Sequence, residues 1–218
     1  MKGFFSAENR IFYRLTQLAD LVLLSVLWII CCLTVVLFVP ATAAMYHTAY
    51  KVIRREYGTL VKEFWSNLKQ NCKQGLVLSV LFVVTALLIR VLFRFSSLPE
   101  LSKNVSFAYY CLAWLTTAVL AVMVVYVCPL LSRFRMPLGK LLGNAFLLGV
   151  RHFPVTLVGL LILLAAVVGI YFIYILLLVL PALACLILSF PMEKVLRQYM
   201  GEASDPDDWY WAEQTIEE

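Results

Sequence analysis

Residues 152–192 read HFPVTLVGLLILLAAVVGIYFIYILLLVLPALACLILSFPM, a run of forty-one positions without Asp, Glu, Lys or Arg. A helix needs about 20 predominantly apolar residues to cross a hydrocarbon core of roughly 30 Å. The run is too long for one crossing and long enough for two, with a reversal expected at 169–174, where Tyr171, Phe172 and Tyr174 suit an aromatic belt. It therefore predicts an integral membrane protein with spans at 153–169 and 174–192.

The composition of the whole chain agrees with this prediction. Hydrophobic residues make up 63% of the sequence and charged residues 14%, whereas soluble proteins average about 45–50% and 25%. The apolar stretches are continuous and do not alternate, which is typical of helices and not of an outer-membrane barrel. We therefore predict an all-α, polytopic helical membrane protein whose residues 1–200 form one transmembrane domain, with further spans at 75–95 and 105–131.

The N-terminal third contains a second long charge-free stretch, residues 21–50, with Pro40 near its middle. Proline cannot continue a helix without losing a hydrogen bond. The stretch predicts a span at 21–38, a break at Val39–Pro40 and a short helix at 41–53 that either is re-entrant or crosses as a sixth span. Small residues in this short helix favour close packing on a neighbour.

The first span could also be read as a signal peptide, because Ala41-Thr42-Ala43 looks like a cleavage site. The apolar stretch is long for that purpose, however, and Lys51 and Arg54 follow it, which opposes translocation of that flank. We expect the segment to be retained as the first helix.

The distribution of Lys and Arg distinguishes two topologies. If residues 21–53 cross once, giving five spans, the two sides carry six and twelve cations; if they form a hairpin, the split is three and fifteen. Lys and Arg in short loops favour the cytoplasmic side. The hairpin, with both termini in the cytoplasm of a bacterial plasma membrane, is the expected topology, and the single crossing stays open. The residues 201–218, with seven acids and no base, are expected to form an acidic cytoplasmic tail.

Two segments between the spans combine an apolar face with basic residues. Residues 57–74 are typical of an amphipathic helix in the membrane interface, or of an ordinary amphipathic helix packed on neighbouring loops. Residues 132–151 contain four cations and no acid. The candidate contacts for anionic lipid headgroups or a partner are Arg54, Arg55, Lys62, Lys69, Arg133, Arg135 and Lys140.

No motif in the sequence indicates catalysis. The chain has no phosphate-binding loop, no HExxH and no GxSxG, and its six cysteines lack the spacing of a metal site. We therefore expect no enzyme activity, no cofactor, no metal and no nucleic-acid partner. A permease-like component with its own solute path is the alternative, although ionisable residues near mid-span, which ion-coupled transport usually requires, are not evident in the sequence.

Several short motifs resemble those of the YesL-like family of bacterial membrane proteins. They are Arg14-Leu15, Asp20-Leu21, Leu27-Trp28, Pro40-Ala41-Thr42-Ala43-Ala44-Met45-Tyr46, Glu63-Phe64-Trp65 and Asn144-Ala145-Phe146. The chain departs from the family pattern at Val36-Leu37-Phe38-Val39, where that family has Thr-x-Gly. The resemblance implies a family without established activity, encoded beside carbohydrate-uptake transporters, and hence an accessory role next to carbohydrate ABC transporter components. It supplies no catalytic residues and no oligomeric state.

Overall fold

The computed structural model describes residues 2–34, 36–54, 58–98, 102–134 and 136–199, with side chains from residue 16 onward. The described chain is helical and contains no strand, which confirms the all-α prediction. The elements, in chain order, are α1 (Lys2–Cys32), α2 (Phe38–Thr48), a π-helix (Ala49–Arg54), α3 (Leu60–Ser96), α4 (Lys103–Arg133), α5 (Leu138–Arg151), α6 (Phe153–Phe172), a 3₁₀ turn (Tyr174–Leu178) and α7 (Leu180–Leu196).

Three helices, α3, α4 and α6, are long and apolar enough to cross a membrane. Their outward faces expose large apolar side chains, for example Leu87 (57%), Leu115 (64%) and Val167 (65%). A water-soluble protein rarely leaves such continuous apolar surface exposed. The exposed faces indicate a membrane protein whose bundle is surrounded by lipid.

The first reversal of the chain lies earlier than the sequence pattern predicts. Helix α1 ends at Cys32, so the expected span at 21–38 is too long at its C-terminal end, and α2 begins at Phe38. The expected break at Val39–Pro40 is wrong, because Pro40 lies inside the first turn of α2. A proline is tolerated there because the first backbone N–H groups of a helix have no intrahelical acceptor.

Helices α1 and α2 form an antiparallel hairpin in which α2 is buried and α1 keeps an exposed face, with Leu23 43% and Ile30 55% exposed. The Trp28 indole Nε1 donates to Thr42 Oγ1 at 3.0 Å, and the Val39 backbone N–H donates to Ser79 Oγ on α3 at 3.1 Å. The expected close packing of the small residues is confirmed, since Ala41, Ala43, Ala44 and Ala49 are all fully buried. A Cβ atom at Gly75 would lie 2.6 Å from the Pro40 Cβ, so only glycine permits this approach of α3 to α2.

Helix α3 is continuous, although the sequence divides it into an interfacial helix at 57–74 and a span at 75–95. No proline interrupts the segment, and Gly75 weakens a helix by only about 1 kcal/mol relative to alanine. The amphipathic pattern is confirmed within its first turns, where Phe64 and Leu68 are buried and Lys62 and Lys69 are exposed. At 37 residues α3 is about 55 Å long, so its polar beginning extends beyond a 30 Å hydrocarbon core.

The rest of the chain forms two further antiparallel pairs. Helix α4 runs antiparallel to α3, and α6 reverses into α7 through residues 173–179, a few residues after the expected reversal at 169–174. Gly169 does not end the helix; a Cβ there would lie 2.8 Å from Leu180 Cδ1, so glycine instead permits α7 to start close to α6.

The bundle therefore has two different ends. At the first, called the basic end below, the π-helix, the start of α3, and the ends of α4 and α7 meet, as the Arg133–Glu193 and Lys51–Glu63 pairs show. At the far end, α3 turns into α4 and aromatic side chains gather, with Phe95 stacked on Tyr109 at 5.9 Å.

Candidate functional site

The basic end contains a group of buried and partly buried polar side chains, which we call the ionic cluster: Tyr46, His47, Tyr50, Lys51, Arg54, Glu63, Arg133, Ser189 and Glu193. Its first five members come from α2 and the π-helix that continues it. A π-helix, in which each hydrogen bond spans five residues and not four, is rare and is found frequently at functional sites. Here it places Tyr50, Lys51 and Arg54 against the ends of α3, α4 and α7.

The most buried acid of the cluster is Glu193 on α7, which is 3% exposed. Its Oε1 accepts a hydrogen bond from the Tyr46 hydroxyl at 3.1 Å and another from Arg133 Nε at 3.0 Å. The Arg133 Nη2 atom bonds to the second carboxylate oxygen, so the guanidinium holds Glu193 with two parallel hydrogen bonds. This bidentate geometry is the strongest form of a side-chain ion pair, and it connects α2, α4 and α7.

A second ion pair joins the π-helix to the beginning of α3. The Lys51 ammonium lies 3.0 Å from Glu63 Oε2, and the Lys51 side chain is only 5% exposed. The imidazole Nε2 of His47 lies 3.9 Å from the same carboxylate oxygen, one helical turn before Lys51. Glu63 is 20% exposed at its side chain, so this pair is closer to solvent than the Arg133–Glu193 pair.

Aromatic rings fill the space between the cations. The Arg133 guanidinium carbon lies 4.3 Å from the centre of the Tyr50 ring, and the Arg54 guanidinium carbon lies 5.2 Å from the same ring. Arg54 also stacks on Phe190 at 4.1 Å, and its Nη1 donates to the Ser189 carbonyl oxygen at 3.0 Å. Contacts of this kind stabilise by about 0.5–2 kcal/mol each, more when desolvated.

The cluster can hold helices together, but its donors do not form a metal site. Within the described part of the chain, no group of three or more His, Cys, Asp or Glu residues is arranged to hold a metal ion. Removing one member of a buried ion pair destabilises a protein by about 3–5 kcal/mol, because the other charge stays buried without compensation. The cluster therefore ties five elements together: α2, the π-helix, α3, α4 and α7.

The candidate contact residues divide into three groups. Arg54 and Arg133 belong to the ionic cluster, so Arg133 in particular faces the protein interior and not a headgroup. Lys62, Lys69 and Lys140 are exposed on α3 and α5, as an external contact requires. Arg55 and Arg135, like the acidic tail at 201–218, lie outside the described residues.

The sequence reading missed the two acids of the cluster. Glu63 lies on the polar side of the amphipathic segment 57–74, and Glu193 directly follows an apolar run; at both places charged residues ordinarily face water or headgroups. One signal was present: His47, Lys51 and Arg54 follow one another at intervals of three and four residues in a helix of otherwise small or apolar residues. That spacing puts them on one face, and charges on the inner face of a buried helix require partners.

Residues 21–92 match a family model described as a protein of unknown function, DUF624. The match covers 72 of the 218 residues, namely α1 from Leu21, all of α2 and the π-helix, and most of α3. No curated protein and no solved structure matches the chain. The chain is thus similar over this region to a family without a known function, and the matched region contributes six of the nine residues of the ionic cluster.

Proposed function

We propose that this chain is a non-enzymatic accessory or scaffold protein of the bacterial plasma membrane, associated with carbohydrate uptake systems. The observation that supports a scaffold role most directly is the pairing of buried charges. Arg133 and Lys51 are each engaged by a carboxylate of a different helix, in contacts of 3.0 Å. Charges that pair inside the bundle fix its shape. The association with carbohydrate transporters rests on the YesL-like resemblance alone.

Two features support a cytoplasmic position for both termini. Contacts between α1 and α2 are those of a hairpin, which returns the chain to the end from which it started. With this arrangement fifteen Lys and Arg residues fall on one side and three on the other, the distribution expected for cytoplasmic loops. The basic end then faces the cytoplasm.

Helix α2 is the reason to favour a re-entrant hairpin over a sixth full span. With the π-helix that continues it, the segment has 17 residues and is at most about 25 Å long, shorter than a hydrocarbon core of roughly 30 Å. The start of α2 lies beside Ser79 of α3. The next cation along α3 is Arg90, which is 11 residues or about 16 Å further. The start of α2 therefore lies well short of the charged far end of α3. In this proposal α3, α4, α6 and α7 cross the membrane, and α1 with α2 enters from the cytoplasmic side.

The scaffold role requires an outer surface for a partner or for lipid. Lys62, Lys69 and Lys140 provide it, because they are exposed at the end assigned to the cytoplasm. Anionic headgroups attract such residues by about 1 kcal/mol per cation.

Copurification tests the scaffold proposal. The full chain, carrying a small tag and expressed at native level, is extracted in mild detergent and its partners are identified by mass spectrometry. We expect transporter components in the wild-type sample and their loss when Lys62, Lys69 and Lys140 are all replaced by Gln. A protein that repeatedly purifies alone would refute an accessory role.

A transport path of its own is the second candidate, and the buried ionic cluster is the observation that favours it. Ionisable groups inside a membrane protein often belong to ion or proton paths, and Glu193 is such a group. This function predicts solute or proton flux into liposomes that contain only this protein, and loss of the flux in Glu193→Gln. Asp20 is half-buried and Arg90 exposed, so they are weaker candidates for the path than Glu193.

A further inference from the structure

The exposed face of α7 at the basic end changes from apolar to cationic within three turns. Ile187 (44% exposed) and Phe190 (55%) are followed by the exposed residues Lys194 and Arg197. These positions are three or four residues apart, so they lie along one side of the helix. A surface with this order matches a phospholipid, whose acyl chains lie beside apolar residues and whose phosphate lies beside cations.

Arg54 adds a third cation to the same surface from the neighbouring π-helix. Its guanidinium carbon lies 4.1 Å from the Phe190 ring centre, and Lys194 is one helical turn beyond Phe190. Its contacts with described acceptors, the Ser189 carbonyl and hydroxyl oxygens at 3.0 and 3.3 Å, both use Nη1. A guanidinium has five N–H donors in a planar fork, so Nε and Nη2 are available to a phosphate.

The charge of this surface favours an anionic lipid over a zwitterionic one. Among the described residues, no carboxylate forms a salt bridge with Arg54, Lys194 or Arg197. The acid next to Lys194 in sequence, Glu193, points into the bundle, where Arg133 holds it. Within the part of the chain that the structure describes, Arg54, Lys194 and Arg197 therefore form a cationic surface without an ion-paired acid.

We infer that Arg54, Lys194 and Arg197 bind the phosphate of one anionic phospholipid of the inner leaflet, whose acyl chains pack on Phe190 and Ile187. The inference rests on the membrane placement proposed above and is independent of any transporter partner. Arg54 provides the hydrogen-bonding fork, because guanidinium and phosphate geometries match. Lys194 and Arg197 provide positive charge. Phe190 packs on the acyl chains and so sets the depth in the membrane at which the phosphate lies.

Native mass spectrometry of the full chain in mild detergent, with phosphatidylglycerol or phosphatidylcholine added, tests the site. We expect wild type to retain phosphatidylglycerol preferentially. Arg54→Gln should weaken retention about tenfold, from the loss of charge-assisted hydrogen bonds. The double variant Lys194→Gln, Arg197→Gln should weaken it by a similar or larger factor, at about fivefold for each charge lost. Lys73→Gln removes one exposed cation from α3, which is not among the candidate contacts, and should change retention less than twofold.

The controls separate the possible failures. If Lys73→Gln weakens retention by as large a factor as each charge lost in the double variant, the lipid binds a diffuse basic surface and the site is refuted. Displacement of the lipid by millimolar inorganic phosphate would show a site for free phosphate, which also overturns the inference. Arg54 contacts Ser189, so Arg54→Gln would also lose lipid if the fold were disturbed. The double variant Lys194→Gln, Arg197→Gln changes two exposed residues and tests the site without that ambiguity. Sodium carbonate extraction of wild-type membranes tests the membrane placement separately, since a protein that is not integral would be released.

Discussion

The two ends of the bundle both contain arginines next to aromatic rings, yet they use them differently. At the basic end, Arg133 is 6% exposed at its side chain and is held by Glu193 and Tyr50. At the far end, Arg90 and Arg94 are exposed, and the nearby rings pack on one another, as Phe93 does on Tyr110 and Trp114. The comparison shows that position relative to an apolar run does not decide whether a charge is buried. A partner on another helix decides it.

The largest effect should follow from removing the acid of the deepest ion pair. Glu193→Ala leaves the Arg133 guanidinium buried without a counter-charge, and we expect it to lower the free energy of unfolding by about 3–5 kcal/mol. Arg94→Ala at the far end is the matched control, with a change within about 0.5 kcal/mol. Thermal unfolding in detergent measures the stability of both variants. Equal losses of stability would contradict the claim that the two ends use their charges differently.

The second pair of the basic end should matter less, because Glu63 keeps some contact with solvent. Lys51→Met removes the charged hydrogen bond to Glu63 and should destabilise the protein by about 1.5–3 kcal/mol. Lys62→Met, an exposed neighbour of Glu63, is the control and should leave stability nearly unchanged. If the control were the more harmful substitution, Lys51 would not be the partner of Glu63.

At the far end, aromatic packing should contribute more than charge. Phe93→Leu keeps an apolar side chain but removes the edge-to-face contacts with Tyr110 and Trp114 at 6.0 and 6.1 Å, and it should destabilise by about 1 kcal/mol. The emission of Trp114 should change as well, whereas Arg90→Gln should affect neither quantity. An unchanged spectrum in Phe93→Leu would contradict the ring contacts.

Two cysteine variants test which end of the bundle faces which side of the membrane. We expect them to have the smallest effect on stability. Thr59→Cys and Ser97→Cys are exposed substitutions next to the start and the end of α3. In intact cells, a maleimide that cannot cross the membrane should label the new thiol of Ser97→Cys and leave that of Thr59→Cys unlabelled. Peptide mapping separates these two sites from the native cysteines. The reverse pattern would place the basic end outside.

The helical fold could be predicted because apolar length and continuity decide it. Residues 152–192 form two helices as their length predicts, and the small residues after Pro40 are buried as expected. The helix boundaries were less predictable. The polar start of α3 and its apolar end differ in composition, which predicts two helices, but no residue between them stops a helix and α3 is continuous.

The ionic cluster could not be predicted from local pattern. Glu193 follows an apolar run by one residue, as interfacial charges often do, and its hydrogen-bond partner Tyr46 is 147 residues away. Nothing near Glu193 in the sequence reveals that α2 and α4 surround it. The single local clue, the spacing of His47, Lys51 and Arg54, indicates a polar helix face but not what that face meets.

The long sequence separation of the Glu193 contacts has a consequence for biosynthesis. Tyr46 and Arg133 are translated 147 and 60 residues before Glu193. While the chain grows, Arg133 enters the assembling bundle before its counter-charge exists, and the basic end can close only after α7 is complete. Chains that stop before Glu193 should therefore be recognised by membrane proteases as unfinished, even though their long apolar helices have already been inserted.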